Sequence, residues 1–373
     1  PGVQIKELIP AENPDYLFIR LLIQADARPG TIQIRFRLNK QVLHYPYRLL
    51  QRDSSKNRVQ GIGNADFIYL AMPDRFANGD LSNDVIRGSQ EPFINRDSMF
   101  WRHGGDLQGI RKHIPYLKDL GVTALWLTPV QENNQKRVSY HGYSITDHYR
   151  IDPRYGDNAL YKTLVDEMHR QGMKVVMDIV PNHIGDGHWL YQNPPSSDWV
   201  HRFSSFTKTN YRAPTLMDPY ASAYDKNLMQ NGWFDTHMPD LNQANEHVAR
   251  YLTQSYIWWV EYTGLDAFRI DTYPYPDQDY LAKMAQDILL EYPGIGLFGE
   301  VWDHGVAMQS WFSGGFKSKN TDSRLPSLID FQVYFAMQEA LSREAGWTEG
   351  VTRLYYTLAQ DFLYPNLFSN VLS

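Results

Sequence analysis

The 373-residue chain contains no cysteine, and this absence narrows the chemistry open to it. Without thiols the chain forms no disulfide, holds no zinc through thiolates and has no cysteine nucleophile. The sequence also lacks an apolar run of the roughly 18 residues that a membrane-crossing helix needs. We therefore predict no membrane span.

Basic residues are not in excess either. Lys and Arg number 36 against 42 Asp and Glu, which gives a net charge of −6. Nucleic-acid partners favour a basic surface, so the charge argues against them. The chain also lacks a dinucleotide-binding glycine fingerprint and a phosphate-binding P-loop. Aromatic residues are abundant at 14%, and such rings suit both a large core and the binding of sugars.

The sequence divides into segments with different patterns. Residues 1–55 contain four short runs rich in β-branched and aromatic residues, separated by Pro, Asn, Asp and Gly. This pattern predicts a partial N-terminal β-sandwich module. From residue 62 onward, apolar strands alternate with amphipathic helices that often end at Gly, for example a predicted helix over 107–121.

Such alternation is typical of right-handed βαβ units around a parallel sheet. We therefore predict an α/β fold of the (β/α)₈ TIM-barrel class. Its first part would span residues 62–183 and its second part residues 241–373. The stretch 184–240 is rich in Pro, Asn, Asp and Trp and reads as an insertion between the two parts.

Three successive predicted strands end in a carboxylate. Asp178 lies in "KVVMDIVPNH", Asp271 in "GLDAFRIDT" and Glu300 in "GLFGEVW". Side chains two residues apart on a strand share a face, so Arg269 points the same way as Asp271. A lone Arg-x-Asp indicates a structural ion pair, but three carboxylates converging on one barrel end are costly to bury and predict an active site.

Most glycoside hydrolases cleave the glycosidic bond with a pair of carboxyl groups. Arg269 beside Asp271 favours an ionised Asp271, which suits a nucleophile. Glu300 has no cation adjacent in sequence and lies among Phe298 and Trp302. Desolvation there would raise its pKa, which suits a proton donor. We therefore predict Asp271 as the nucleophile and Glu300 as the acid/base residue.

The motifs resemble those of a known family. "DIVPNH", "GLDAFRIDT" and "FGEVW" resemble three conserved blocks of the α-amylase family of glycoside hydrolases, and "MPDLN" and "YHGY" resemble two more. The resemblance covers about residues 62–373 and points to the neopullulanase/cyclomaltodextrinase type. It implies a retaining enzyme acting on an α-glucan: starch, pullulan, cyclodextrin or maltooligosaccharides. Residues 184–240 would be the family's B domain.

The resemblance also implies roles for further residues. Tyr143 would stack under the glucose unit to be cleaved, His183 would hydrogen-bond it, and Asp178 would complete the substrate-binding set. Arg269 would orient the nucleophile. By the same resemblance we expect a homodimer and a periplasmic or secreted location.

The loop "NGDLSND" (78–84) carries four side chains with amide or carboxylate oxygens, the type of ligand that calcium takes. Alone it would indicate a solvated turn. Together with "HGGDLQG" (103–109) it resembles the calcium site of neopullulanases and cyclomaltodextrinases. The resemblance implies calcium as cofactor, with these ligands: Asn78, Asp80, Asn83, Asp84, the Gly104 carbonyl and Asp106.

One family feature is missing. The Asn-His-Asp block that supplies a third catalytic Asp occurs nowhere in the chain, and the seventh strand would only begin in "NLFSNVLS" (366–373). We expect a fragment that is poorly soluble or inactive alone, and a version extended through that block to be active. Two alternatives stay open: a non-catalytic glucan-binding homologue, and a transglycosylase that uses the same residues.

Overall fold

The computed structural model describes residues 2–53, 58–317, 321–342 and 346–365. The predicted start of a seventh strand at 366–373 lies outside the described residues. The chain forms two compact units. The first consists of the described residues of Pro1–Arg58 and Pro194–Ser197, and the second of those of Val59–Asn193 and Asp198–Ser373.

The first unit contains two antiparallel hairpins. Strand β1 (Val3–Pro10) pairs with β2 (Leu17–Ile23), and β3 (Gly30–Leu38) pairs with β4 (Gln41–Leu49). Asn39 forms the β3–β4 turn with a positive φ of 54°, a conformation that Asn tolerates better than most residues. These four strands coincide with the four runs predicted from sequence.

The second unit is built on strands that alternate with helices. Its strands are, in chain order, β5 (Ile68–Ala71), β6 (Ala124–Leu127), β7 (Gln131–Glu132), β8 (Asp147–Ile151), β9 (Lys174–Ile179), β10 (Ala267–Ile270), β11 (Gly296–Gly299) and β12 (Ser327–Leu328). Six of them form one parallel sheet in the order β12-β11-β10-β9-β6-β5. β7 and β8 form a separate antiparallel pair after β6.

One face of the parallel sheet carries an apolar core. Alternate residues of β6, β9, β10 and β11 pack there with residues that follow β12, and the cluster consists of Ala124, Trp126, Val176, Ala267, Phe298, Ile329 and Phe331. Among the described strands, β5 and β12 are the edges, since each pairs with a single neighbour. The sheet curls as part of a barrel, which agrees with the predicted fold class.

Helices connect the strands. They are α1 (Pro73–Phe76), α2 (Leu107–Lys112), α3 (Ile114–Asp119), α4 (Asn158–Arg170), α5 (Trp189–Gln192), α6 (Ala223–Asn231), α7 (Glu246–Thr263), α8 (Gln278–Glu291), α9 (Val306–Ser310), α10 (Phe331–Ser342) and α11 (Val351–Leu358). Asp106, Asp157 and Asp277 cap α2, α4 and α8 by accepting backbone N–H groups. Within the described ranges, no helix combines the length and apolar character that crossing a membrane requires.

The helix predicted over 107–121 is in fact two helices, α2 and α3, which meet at His113. Pro115 occupies the first turn of α3, where its missing N–H is tolerated. Inside a longer helix the same proline would have removed a hydrogen bond and clashed with the preceding turn, so the single-helix prediction was wrong.

The segment between β9 and α7 is mostly irregular. It contains α5, α6 and a short 3₁₀ turn at Ala213–Leu216. Isolated bridges pair His183 with Asp240 and Val200 with Leu241. These bridges anchor the segment at the carboxyl end of β9, the edge at which the predicted catalytic residues lie.

Candidate active site

The predicted catalytic residues meet at the carboxyl edge of the parallel sheet. Asp178 lies near the end of β9 and Arg269 near the end of β10, and the two are directly opposite in the strand register. Asp271 follows β10 and Glu300 follows β11. Parallel strands bring their carboxyl ends to one edge, so residues far apart in sequence become neighbours here.

Arg269 is the centre of this group. Its Nη1 lies 2.9 Å from Asp178 Oδ1 and 2.6 Å from Asp271 Oδ1, and its Nη2 lies 2.6 Å from Glu300 Oε1. The guanidinium is almost fully buried, with 4% of its side chain exposed. One cation therefore joins three carboxylates from three neighbouring strands through charge-assisted bonds.

Asp178 is held from its other side. The Trp126 indole N–H and the Tyr143 hydroxyl both donate to Asp178 Oδ2, at 3.1 Å each. The Arg269 guanidinium also lies 5.3 Å from the Trp126 ring centroid and 5.6 Å from that of Tyr143. These contacts, together with cation–π attraction, fix the position of the arginine.

The surroundings of Glu300 differ from the sequence expectation. No cation was expected near it, yet Arg269 bonds it directly, because β10 and β11 are adjacent in the sheet. The backbone N–H of Thr272 donates to Glu300 Oε2 at 2.9 Å, and the Trp302 indole N–H donates to Oε1 at 3.0 Å. The Glu300 side chain is 18% exposed, compared with 7% for Asp271 and none for Asp178.

Burial dominates the proton affinities of the three acids. Desolvation raises the pKa of Asp178 to about 7, although Arg269 opposes the rise. Burial also raises the pKa of Asp271 and of Glu300, again against the pull of Arg269. A single positive charge cannot keep three buried carboxyl groups ionised, so the cluster is suited to holding a proton near neutral pH.

His183 lies beside this cluster and is buried. Its ring stacks on Phe234 with the centroids 5.2 Å apart, and its Nε2 lies 3.2 Å from the Tyr143 carbonyl oxygen. Burial lowers the pKa of His183 to about 3, so it is neutral at physiological pH. The structure thus brings His183 close to Tyr143, whose hydroxyl bonds Asp178, and the contact of His183 with substrate stays a prediction.

Sequence reasoning did not single out two residues of this site. Trp126 occupies the core-facing side of β6 and looks like ordinary core in the sequence, yet its indole N–H bonds Asp178. His141 accepts the backbone N–H of Tyr143 at 2.9 Å and stacks on its ring. Its place inside the quoted "YHGY" motif was a signal that could have identified it.

The predicted calcium loop is partly assembled. Asn78 Nδ2 donates to Asp84 Oδ1 at 2.6 Å. Gly104 has a φ of 84°, and a Cβ at this position would lie 2.6 Å from Asp84 Oδ1. The carbonyl-bearing backbone of Gly104 therefore packs directly against Asn78 and Asp84.

Two other predicted ligands have different partners. Asp106 caps α2, and its carboxylate accepts the backbone N–H groups of Gly79, Asp80 and Gly109. Asp80 accepts from the backbone and hydroxyl of Ser82, as in a polar turn. Throughout the described part of the chain, no three His, Asp or Glu side chains are grouped to hold a metal. A cation here would need amide and carbonyl oxygens as well.

Three carboxylates share one arginine at the carboxyl edge of a curled parallel sheet, which is the edge where barrel enzymes place their active sites. The protein-family model described as the α-amylase catalytic domain matches residues 67–321, which is more than half of the chain. The chain belongs to the α-amylase family. The model of the cyclomaltodextrinase N-terminal domain matches residues 1–53.

Curated relatives include two enzymes of the predicted type. The intracellular maltogenic amylase of Bacillus subtilis (strain 168) is 34% identical over 258 residues, which cover 66% of this chain and 39% of that protein. Neopullulanase 2 of Thermoactinomyces vulgaris is 32% identical over 249 residues, covering 63% of this chain and 38% of that protein. The chain thus spans about two fifths of the length of these relatives.

Solved structures agree on the fold. The α-amylase of Geobacillus thermoleovorans, in complex with acarbose, has a TM-score of 0.63 at 28% identity and covers 80% of this chain and 58% of that one. A cyclomaltodextrin glucanotransferase named CldA has a TM-score of 0.68 at 26% identity, with 82% and 63% covered. The predicted fold class and family are confirmed.

Proposed function

We propose that this chain carries the catalytic centre of a retaining α-glucan hydrolase. The observation that supports the proposal most directly is the contact of one guanidinium, Arg269, with Asp178, Asp271 and Glu300. Arg269 Nη1 bonds Asp271 and Arg269 Nη2 bonds Glu300, each at 2.6 Å, so the two carboxyl groups lie on one guanidinium and close to each other. Retaining glycosidases keep their carboxyl groups about 5–5.5 Å apart, whereas inverting enzymes leave room for a water molecule between them.

Exposure favours the division of roles between the two residues. Glu300 is the more exposed carboxyl, and the acid/base residue must exchange protons with the leaving group and then with water. Asp271 is the more buried carboxyl and is bonded by Arg269 at 2.6 Å. Asp271 attacks the anomeric carbon while Glu300 protonates the leaving oxygen. Glu300 then deprotonates the water that releases the sugar from Asp271.

The names of the relatives suggest the substrate class. They include maltogenic amylase, neopullulanase and cyclomaltodextrinase. Each name refers to an enzyme of α-linked glucans, and for this protein we propose the substrate class of starch, pullulan, cyclodextrin and maltooligosaccharides.

The test incubates the full gene product, and residues 1–373 beside it, with each of these glucans. Proton NMR at early time points reports the anomer released. We expect the α-anomer, and its loss in Asp271→Asn and in Glu300→Gln. The control is Asp166→Asn, which removes an exposed carboxylate that pairs with Lys162. Early release of the β-anomer, or activity in Asp271→Asn, would refute the proposal.

Transglycosylation is a second candidate, favoured by the likeness to the CldA glucanotransferase. It uses the same two carboxylates and differs in the acceptor that attacks the glycosyl-enzyme. Product analysis with maltotriose, with and without added glucose, separates the two. Products longer than the substrate indicate transfer, and shorter products alone indicate hydrolysis.

Calcium at the 78–84 loop is part of the proposal. The side-chain oxygens of Asn78 and Asn83 are buried and have no hydrogen-bond partner within the described residues, which supports cation binding by these oxygens. With Asp84 and the Gly104 carbonyl, these atoms give the hard oxygen donors that calcium prefers. A bound ion would tie the loop to the segment before α2.

The metal is tested by thermal unfolding. Calcium added to EDTA-treated protein is expected to raise the Tm by several degrees, and Asp84→Asn is expected to abolish the rise. Asp106 is unsuitable for this purpose, because it also caps α2. Identical melting of the wild type with and without calcium would contradict a metal site.

Assembly and location complete the proposal. Apolar side chains of the first unit are exposed, among them Ile5, Leu8, Leu43 and Tyr45, which supports a homodimer through this unit. Sedimentation analysis across a concentration series tests it. The expected export is not supported by the Bacillus subtilis relative, which is named intracellular. We therefore propose an intracellular location, which cell fractionation tests.

A further inference from the structure

The segment that leads to Tyr143 begins with a strained residue. Val138 has φ 54° and ψ 28°, the left-handed region that a β-branched side chain rarely adopts. The next residues form a 3₁₀ turn, Ser139–His141, and Gly142 continues with φ 90°. Such backbone strain persists only where the surroundings enforce it.

Hydrogen bonds to the neighbouring residue, Ser139, hold this strained backbone in place. The Ser139 N–H donates to Glu91 Oε2 at 3.0 Å. Its carbonyl accepts from Asn133 Nδ2 at 3.1 Å and from Arg102 Nη1 at 3.4 Å. Its hydroxyl accepts from Arg154 Nη1 at 3.2 Å. All five residues are buried, so every polar group of Ser139 is fixed in the interior.

The charged members of this network are themselves braced. Arg154 bonds both oxygens of Asp152, at 2.9 and 2.8 Å, and Arg102 lies 3.6 Å from Asp74. Burying such ion pairs contributes little to stability compared with apolar packing of the same volume. A buried network of this size, directed at the backbone of one serine, therefore indicates a positional role.

The network is connected to the active site through four residues of chain. The Tyr140 carbonyl accepts from Tyr155 Oη at 3.0 Å. The Tyr143 N–H then donates to His141 Nδ1, and the Tyr143 hydroxyl donates to Asp178 at 3.1 Å. A shift of the turn at Ser139 would move the Tyr143 hydroxyl away from Asp178.

We propose that Glu91, Arg102 and Arg154 are positioning residues that hold the strained Val138–Ser139 turn and thereby place Tyr143 against Asp178. The consequence for turnover rests on the proposed glucan hydrolysis. The effect on the backbone does not depend on that proposal, because these three residues, which we call the clamp, hold the turn in the folded chain whether or not it cleaves glucans.

The first measurement is hydrogen–deuterium exchange of the peptide spanning 138–144. Glu91→Ala removes the acceptor of the Ser139 N–H, and we expect exchange in this peptide at least about tenfold faster. Glu91→Gln keeps a side-chain oxygen and should stay close to wild type. The control is Glu167→Ala, which breaks the ion pair with Arg111 between α2 and α4. Unchanged exchange in Glu91→Ala would overturn the clamp.

The second measurement is turnover, at a temperature where all variants are folded. We expect kcat to fall at least about tenfold in Glu91→Ala and to stay near wild type in Glu167→Ala. Adding Val138→Gly to Glu91→Ala should recover part of the loss, because glycine adopts φ 54° without strain. Equal losses in the Glu91 and Glu167 variants would refute positioning.

The experiments distinguish failure of the proposed function from failure of the positioning proposal, and they cover the case in which a variant does not fold. If the wild type cleaves no glucan, the proposed function fails, but the exchange experiment still decides the clamp. If Glu91→Ala does not fold, the single variant Val138→Gly tests the proposal instead. Because glycine relieves the strain at this position, we expect its Tm to equal or exceed that of the wild type. A Tm several degrees lower would show that no strain is held at Val138 and would overturn the proposal.

Discussion

Acid is expected to destabilise the second unit through its buried histidines, and His148 gives the sharpest test. His148 Nδ1 lies 3.2 Å from His188 Nε2, and both rings are buried. The Leu190 N–H donates to His188 Nδ1, so neutral His188 carries its proton on Nε2 and donates it to His148. Burial lowers the pKa of His148 to about 3.

The magnitude follows from proton linkage. An unfolded histidine titrates near pH 6.5, so between pH 6.5 and about 3 only the unfolded chain binds this proton. Stability is therefore intact above pH 6.5 and falls as the pH drops below it. At about 1.4 kcal/mol per pH unit, His148 alone costs about 2 kcal/mol at pH 5.

Other buried groups act in the opposite direction. Burial raises the pKa of Asp178 and of Asp240 to about 7, so the folded chain keeps protons that the unfolded chain releases. Between pH 7 and their ordinary pKa, these acids stabilise the fold as the pH falls. These acids offset part of the destabilisation by the buried histidines, so only a comparison of variants isolates the contribution of His148.

The comparison uses His148→Asn, which keeps an acceptor for His188 but does not titrate in this range. Urea unfolding followed by tryptophan fluorescence gives the free energy of unfolding at pH 7.5 and pH 5.0. We compare the change in the free energy of unfolding between pH 7.5 and pH 5.0. This change should be about 2 kcal/mol more favourable to the folded state in the variant than in the wild type, even if the variant is less stable at pH 7.5. The control is His304→Asn, at an exposed position. Equal pH-dependent changes in His148→Asn and wild type would refute the reasoning.

Three further predictions concern the sites. Arg269→Lys replaces two separated guanidinium nitrogens with one compact ammonium, which cannot reach all three carboxylates in their present positions. Denaturation should therefore show a loss of about 3 kcal/mol, and reducing-sugar assays should show at least about hundredfold lower turnover. Trp302→Phe removes a hydrogen bond that lowers the pKa of Glu300, so the alkaline limb of the kcat/KM–pH profile should shift upward. Gly104→Ala places a Cβ 2.6 Å from a carboxylate oxygen and should lower the Tm by several degrees, whereas Gly63→Ala, with open space around it, should not.

Much of the architecture could be predicted because its signals are local. Strands β9, β10 and β11 are short apolar runs, and Gly264 ends α7 with a φ of 78°. The grouping of Asp178, Asp271 and Glu300 also followed from side-chain alternation and from the rule that parallel strands end at one edge.

The surroundings of some residues were not predicted, because they depend on partners that are distant in sequence. Glu300 lacks a nearby cation in the sequence, but strand pairing brings Arg269 to it. Asp106 stays a predicted metal ligand, but its additional role as a helix cap depends on backbone N–H groups that the sequence does not reveal. Pro115 was an exception, because its effect on the helix is local and could have been read from the sequence.

The sharing of Arg269 among three acids has a consequence for how this site can change over evolution. A substitution at any one of the four positions alters the hydrogen bonds on at least one adjoining strand, so double substitutions should not have additive effects. The four residues are therefore expected to change together rather than one at a time. Relatives that have lost glycosidase activity are expected to differ at several of these positions.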